Sequence, residues 1–187
     1  MKQSVQELYG GHFTIELING SENYVDASTI REVPDNQEVF VGKNDDTSVI
    51  IDLLEQVEST DLKAAMTEHL EDILTDLTNS IIKQDDTVLR KDIIDNNLII
   101  TKLTVDKSAN LSKEIENNHI EKGELLFKES EPLKTIDMYI GLVRLKEYET
   151  DILITYNPPP RSKNENIVEL FKNMILSLTL KDPSIFG

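Results

Sequence analysis

Two stretches of this chain repeat apolar residues at three- and four-residue spacing, and between them lie runs with the period of β-strands. Leu62, Ala65, Met66, Leu70, Ile73, Leu74 and Leu77 form one face of a helix. Ser59 and Thr60 are its N-cap candidates, with Asp61 placed in the first turn to suit the helix dipole. Ile167, Leu170, Phe171, Met174, Ile175 and Leu178 form the second stripe. Ser162 and Glu165 stand before it in capping-box spacing, while Lys181 and Pro183 mark its stop. Phe13, Ile15 and Leu17 alternate with Thr14 and Glu16, as in a half-buried strand. Val39 to Val41, Val49 to Leu54, Leu98 to Val105 and Leu125 to Phe127 are further strand candidates. Met138 to Leu145 and Asp151 to Tyr156 form a hairpin through Lys146-Glu147-Tyr148-Glu149, which Pro158-Pro159-Pro160 stops. Strands in hairpins with two amphipathic helices predict an α+β fold. Its core is a central antiparallel β-sheet flanked by helices, an α/β/α sandwich.

The connections are read from turn chemistry. Asn19-Gly20 closes the first strand, and Lys43-Asn44-Asp45-Asp46 parts two later ones. Asp26 or Ser28 caps a short helix that Pro34 ends, because the residue before proline avoids helical angles. Asn79 to Asp95 has no clear period, and Asp106 to Lys122 reads as a polar loop. With no internal repeat and no linker, the 187 residues predict a single domain, 1–187.

Charge narrows the partners. A formal net charge of −16 argues against a nucleic-acid groove, which needs clustered Lys and Arg, and against an anionic membrane surface. A basic protein would be drawn to it, fastest at low salt. Cysteine is absent, which excludes disulfides, zinc-thiolate sites and thiol nucleophiles. The first residues carry no apolar run, so no secretory signal is expected, and no segment has the apolar length to span a bilayer. Nucleus or cytosol is the expected location.

The inventory of catalytic motifs is thin. Neither a Gly-x-x-x-x-Gly-Lys-Ser/Thr loop, nor a Gly-x-Gly-x-x-Gly turn, nor a Gly-x-Ser-x-Gly elbow occurs. His12, His69 and His119 are far apart, and His69 falls beside the apolar stripe, where a packed or boundary role is the ordinary one. Carboxylates are abundant enough for pairs to arise by chance. The Glu68, Glu71, Asp72 and Asp76 face reads as solvated. No metal, cofactor or enzymatic activity is expected, and a monomer is.

Binding chemistry concentrates in Asp26-Ala27-Ser28-Thr29-Ile30-Arg31-Glu32-Val33-Pro34-Asp35-Asn36-Gln37-Glu38-Val39-Phe40. Its turn has a plain structural reading: Pro34 presets an angle, Asp35 and Asn36 bond the backbone, and Glu38 begins a strand. On the residues alone that reading is favoured. The same turn can also hold Asp35 and Glu38 out as acceptors for Lys or Arg on a partner.

This block, preceded by Glu7-Leu8-Tyr9-Gly10-Gly11, resembles the opening of the Ran guanine-nucleotide release factors, the family called Mog-one. Similarity continues in Ile51-Asp52-Leu53-Leu54-Glu55, Asp61-Leu62-Lys63 and His69-Leu70-Glu71-Asp72, then more weakly in Gly141-Leu142-Val143-Arg144-Leu145 and Thr150-Asp151. Asn79 to Leu133 lies outside it. The resemblance implies a fold similar to the photosystem subunit PsbP, and binding to the small GTPase Ran that promotes nucleotide release without catalytic chemistry. Nuclear protein transport, and residence in the nucleus and cytoplasm, are implied with it. Matched residue to residue, Ran contact falls on Asp35 and Glu38, with Asp26, Arg31, Glu32, Asn36 and Gln37 completing the patch. The alternative is an acidic interaction or trafficking adaptor without release activity.

Overall fold

A computed structural model describes residues 5–75, 81–91, 96–106, 135–160, 162 and 165–187. In chain order the regular elements are β1 (Gln6–Leu8), β2 (Phe13–Ile15), β3 (Tyr24–Asp26), β4 (Gln37–Gly42), β5 (Ser48–Glu55) and α1 (Leu62–Thr75). Then come β6 (Ile81–Lys91), β7 (Asn96–Asp106), β8 (Thr135–Leu145), β9 (Thr150–Asn157), α2 (Ile167–Ser177) and β10 (Thr179–Leu180).

The central sheet has seven strands in the order β3-β4-β5-β9-β8-β7-β6, every neighbouring pair antiparallel. A second, three-stranded sheet, β1-β2-β10, joins the two ends of the chain, with Leu180 opposite Phe13. Because side chains alternate across a strand, the central sheet builds two cores. On one face Ile99, Leu103, Ile140, Leu142 and Leu153 meet Leu62, Ala65, Met66 and Leu70 of α1. On the other, Leu98, Ile100, Tyr139, Ile152, Ile154 and Tyr156 pack with Phe171, Met174 and Ile175 of α2 and with Phe13 and Ile15 of β2. This is the expected α+β sandwich, with the small sheet as an added part of one layer.

Gly141 shows how closely α2 sits on the sheet. A Cβ there would collide with Ile175 Cδ1 and lie 3.1 Å from Ile175 Cγ1. Gly141→Ala is therefore expected to destabilise the protein by about 1–3 kcal/mol through overpacking. Urea unfolding checks this, and an unchanged midpoint would contradict it.

Several local expectations change. The cap of α1 is Asp61, whose Oδ1 accepts from Lys63 N and Ala64 N, both at 3.0 Å. Ser59 instead donates to Glu68 Oε2 at 2.8 Å. The Ser162/Glu165 capping box does not form. α2 begins at Ile167, and Asn166 at its N-cap makes no side-chain cap bond. The short helix expected to reach Pro34 is a 3-10 turn, Ala27–Thr29, capped by Asp26. The first alternating strand stops at Ile15, with Leu17 buried just beyond it. Asn79 to Asp95, where no period was legible, contains β6. Leu77, the strand expected at Leu125 to Phe127 and nearly all of the loop expected at Asp106 to Lys122 lie outside the described residues.

Candidate protein-interaction site

The acidic block occupies the β3–β4 connection and the first residues of β4. Asp26 Oδ1 accepts from Ser28 N at 2.8 Å, and Thr29 Oγ1 donates to Asp26 O at 2.6 Å, which folds the 3-10 turn. From Ser28 to Glu32 the chain is exposed, Arg31 included, and Ile30 is an apolar side chain left 73% exposed among them. A second turn follows, with Gln37 N donating to Pro34 O at 2.9 Å, and it leaves Asp35 and Asn36 exposed.

Antiparallel pairing then decides what stands beside the block. Gln37 lies opposite Asp52, and Glu38 opposite Ile51. Gln37 Nε2 donates to Asp52 Oδ1 at 2.7 Å, and Leu53 N donates to Asn36 O at 2.8 Å. Successive strand residues point to opposite faces, so Gln37 and Asp52 stand on one face and Glu38 on the other. Glu38 is half-buried there and is not free of the protein. Its Oε1 accepts the Tyr9 backbone N–H at 2.7 Å.

Tyr9 closes the arrangement from above. It holds a left-handed backbone conformation, φ 50°, rare for a residue of its size. Its hydroxyl donates to Ile51 O at 2.9 Å and stands 3.2 Å from Asn36 O. Burial, with the Asp52 and Glu38 charges added, raises its pKa far above the ordinary phenol value. Burial also raises the pKa of Glu38, against the lowering effect of the Tyr9 N–H and with the Asp26 charge adding to the rise. Asp52 is raised by burial too, partly offset by Gln37. A cation from a partner would reverse that penalty on both carboxylates.

Tyr9 thus bonds both Asn36 and Glu38, and Gln37 is bonded to Asp52 on the opposite face. Asp26 acts on Glu38 through charge, and Asp35 projects from the adjoining turn. Arg31 and Glu32 lie on the exposed connector. Two members escaped the sequence reading: Asp52 and Tyr9. Both sit in segments whose similarity was noted, yet only the register places them here. Among the described residues no group of His, Asp and Glu is arranged to hold a metal ion, and no helix is long and apolar enough to cross a membrane.

Comparison with known proteins adds an independent line. Residues 6–159 match the family model described as Ran-interacting Mog1 protein. The chain is 30% identical over 211 residues to the nuclear import protein MOG1 of Saccharomyces cerevisiae, covering 100% of this chain and 86% of that one. It is 31% identical over 192 residues to the Ran guanine nucleotide release factor of Bos taurus, covering 96% and 95%. The crystal structure of the Saccharomyces cerevisiae Ran-binding protein Mog1p superposes with a TM-score of 0.70 at 26% identity, covering 100% of both chains.

Proposed function

The chain belongs to the Ran-interacting Mog1 family, and from that membership we propose that it binds the small GTPase Ran and promotes release of its guanine nucleotide. The work so served is protein transport into the nucleus, with the protein present in nucleus and cytoplasm. It acts as a monomer by binding alone, with no cofactor and no catalytic step. Relatives named as Ran guanine nucleotide release factors support this reading.

The observation that carries the site is the half-buried Glu38 carboxylate, fixed by the Tyr9 N–H at 2.7 Å beside the projecting Asp35. Asn36 shares Tyr9 with Glu38, and Asp26 acts on Glu38 through charge. Arg31 and Glu32 lie on the exposed connector before it, and Gln37, bonded to Asp52, stands on the opposite face. A GTPase holds its phosphates with backbone amides, a lysine and a magnesium ion. Carboxylates held rigidly against that region compete for the lysine and for the metal, and so weaken the nucleotide's hold. Linkage sets the limit. The protein favours empty Ran only as far as it binds that state more tightly, and GTP weakens its binding by the same factor.

The test follows Ran loaded with a fluorescent GTP analogue. Wild-type protein is expected to accelerate release at stoichiometric amounts. A folded Asp35→Asn, Glu38→Gln variant is expected to lose that effect. Stable Ran binding without any acceleration would favour an adaptor; full activity in the variant would move the site elsewhere.

A further inference from the structure

A cleft of about 870 Å³ opens where the chain leaves β5, bounded by the β8–β9 turn and the C-terminal turn. We infer that this cleft is a docking site for an arginine side chain carried on a segment of a protein partner. The inference does not rest on the Ran reading, although the cleft adjoins the acidic face.

Its wall is aromatic. Tyr148 and Phe186 stack with ring centroids 4.3 Å apart and planes at 16°, and Phe186 is braced edge-on by Phe13 at 6.1 Å. Its rim is anionic: Glu55, Glu58 and Glu149 are exposed, and neither Lys nor Arg lines it. Glu149 holds a left-handed backbone conformation, φ 47°, and its carbonyl accepts from Gln56 N at 2.9 Å. Gln56 also lines the cleft, and its Oε1 is buried with no hydrogen-bond partner, the one such side-chain atom among the described residues. Buried acceptors are almost always paired, so a partner's donor that uncovers this one would satisfy it.

A planar cation answers all three features. Guanidinium stacks on aromatic rings, and its fork of donors can serve Gln56 Oε1 and a carboxylate together, where an ammonium offers only a point charge. The strap that supplies Gln56 and Glu58 is anchored from behind, because Arg144 donates to the carbonyls of Val57 and Ser59. The site therefore needs little ordering on binding.

The net charge of −16 attracts any cation, so the test must separate a site from a field. The isotope-labelled full chain is titrated with N-acetyl-arginine amide at about 0.15 M salt and followed by NMR. Saturable shifts are expected at Gln56, Glu149 and Phe186. N-acetyl-citrulline amide, of the same shape without the charge, is expected to bind at least about tenfold more weakly. So is the arginine probe to a Glu58→Gln, Glu149→Gln variant, while Asp35→Asn leaves it unchanged. Equal binding of citrulline, undiminished binding to the double variant, or unsaturating shifts spread over the acidic surface would each overturn the site. None of these outcomes bears on nucleotide release.

Discussion

Asp151→Ala is expected to lower the stability of this protein by about 3–5 kcal/mol, the cost of breaking a buried ion pair from one side. Arg144 and Asp151 are 1% and 0% exposed, and they face each other across β8 and β9. Arg144 Nε and Nη2 reach the two carboxylate oxygens at 2.8 Å each, a bidentate pair. Asp151 Oδ2 also lies 2.8 Å from His69 Nε2 of α1 and accepts Val57 N at 3.3 Å. One carboxylate thus ties the sheet, the first helix and the strap after β5. Its removal leaves Arg144 charged, buried and uncompensated. Against a total stability of ~5–15 kcal/mol such a loss is severe. Urea unfolding reads it directly, and a loss within the range of a surface substitution would refute the account.

The same pair predicts a pH dependence. Burial alone would raise the Asp151 pKa, but the hydrogen bonds from Arg144 and His69 outweigh it and hold the value down to about 2. A carboxyl group lowered on folding contributes stability above its unfolded pKa, and that contribution is lost as pH falls toward the folded value. The wild-type protein is therefore expected to weaken by roughly 2 kcal/mol between about pH 4 and pH 2 on this account. Asp151→Asn, already lacking the charge, is expected to lose less over that window. Acid unfolding followed by circular dichroism compares the two.

The second large effect concerns Ran, and it distinguishes two residues that look alike in the sequence. Glu38→Gln is expected to weaken binding by about 2–5 kcal/mol, the range for truncating a desolvated charge at an interface. Asp35→Asn is expected to cost only ~0.2–1 kcal/mol, because Asp35 is exposed and screened. Glutamine keeps an oxygen to accept the Tyr9 N–H, so the cluster should stay folded and the loss should read as charge. Titration calorimetry on each single variant decides it. Equal effects at both positions would contradict the difference in burial on which the prediction stands.

Much of the architecture followed from periodicity. The α1 and α2 stripes were legible because each helix buries one face against the sheet, and burial imposes the spacing. The β8–β9 hairpin was legible because its strands are buried on both faces and read as apolar runs parted by a polar turn. β6 was not, since no alternation marks Ile81 to Lys91. The caps shifted for a related reason: an Asp at position 61 competes with its Ser and Thr neighbours for the same backbone amides, and only the docked helix selects a winner. The sandwich class, the acidic character, and the acidic block with its family likeness were determined by the sequence alone. These depend on residue identity and local spacing.

Strand order, and everything that depends on it, was decided by the tertiary structure. Asp52 meets Gln37, Tyr9 reaches over to Glu38, Arg144 finds Asp151, and the C-terminal turn brings Phe186 to Tyr148. Each of these contacts joins segments through a register or a crossing that local pattern does not encode. A shift by one residue would send every side chain to the opposite face. What selects the register is the simultaneous burial of both sheet faces, which is a property of the whole chain.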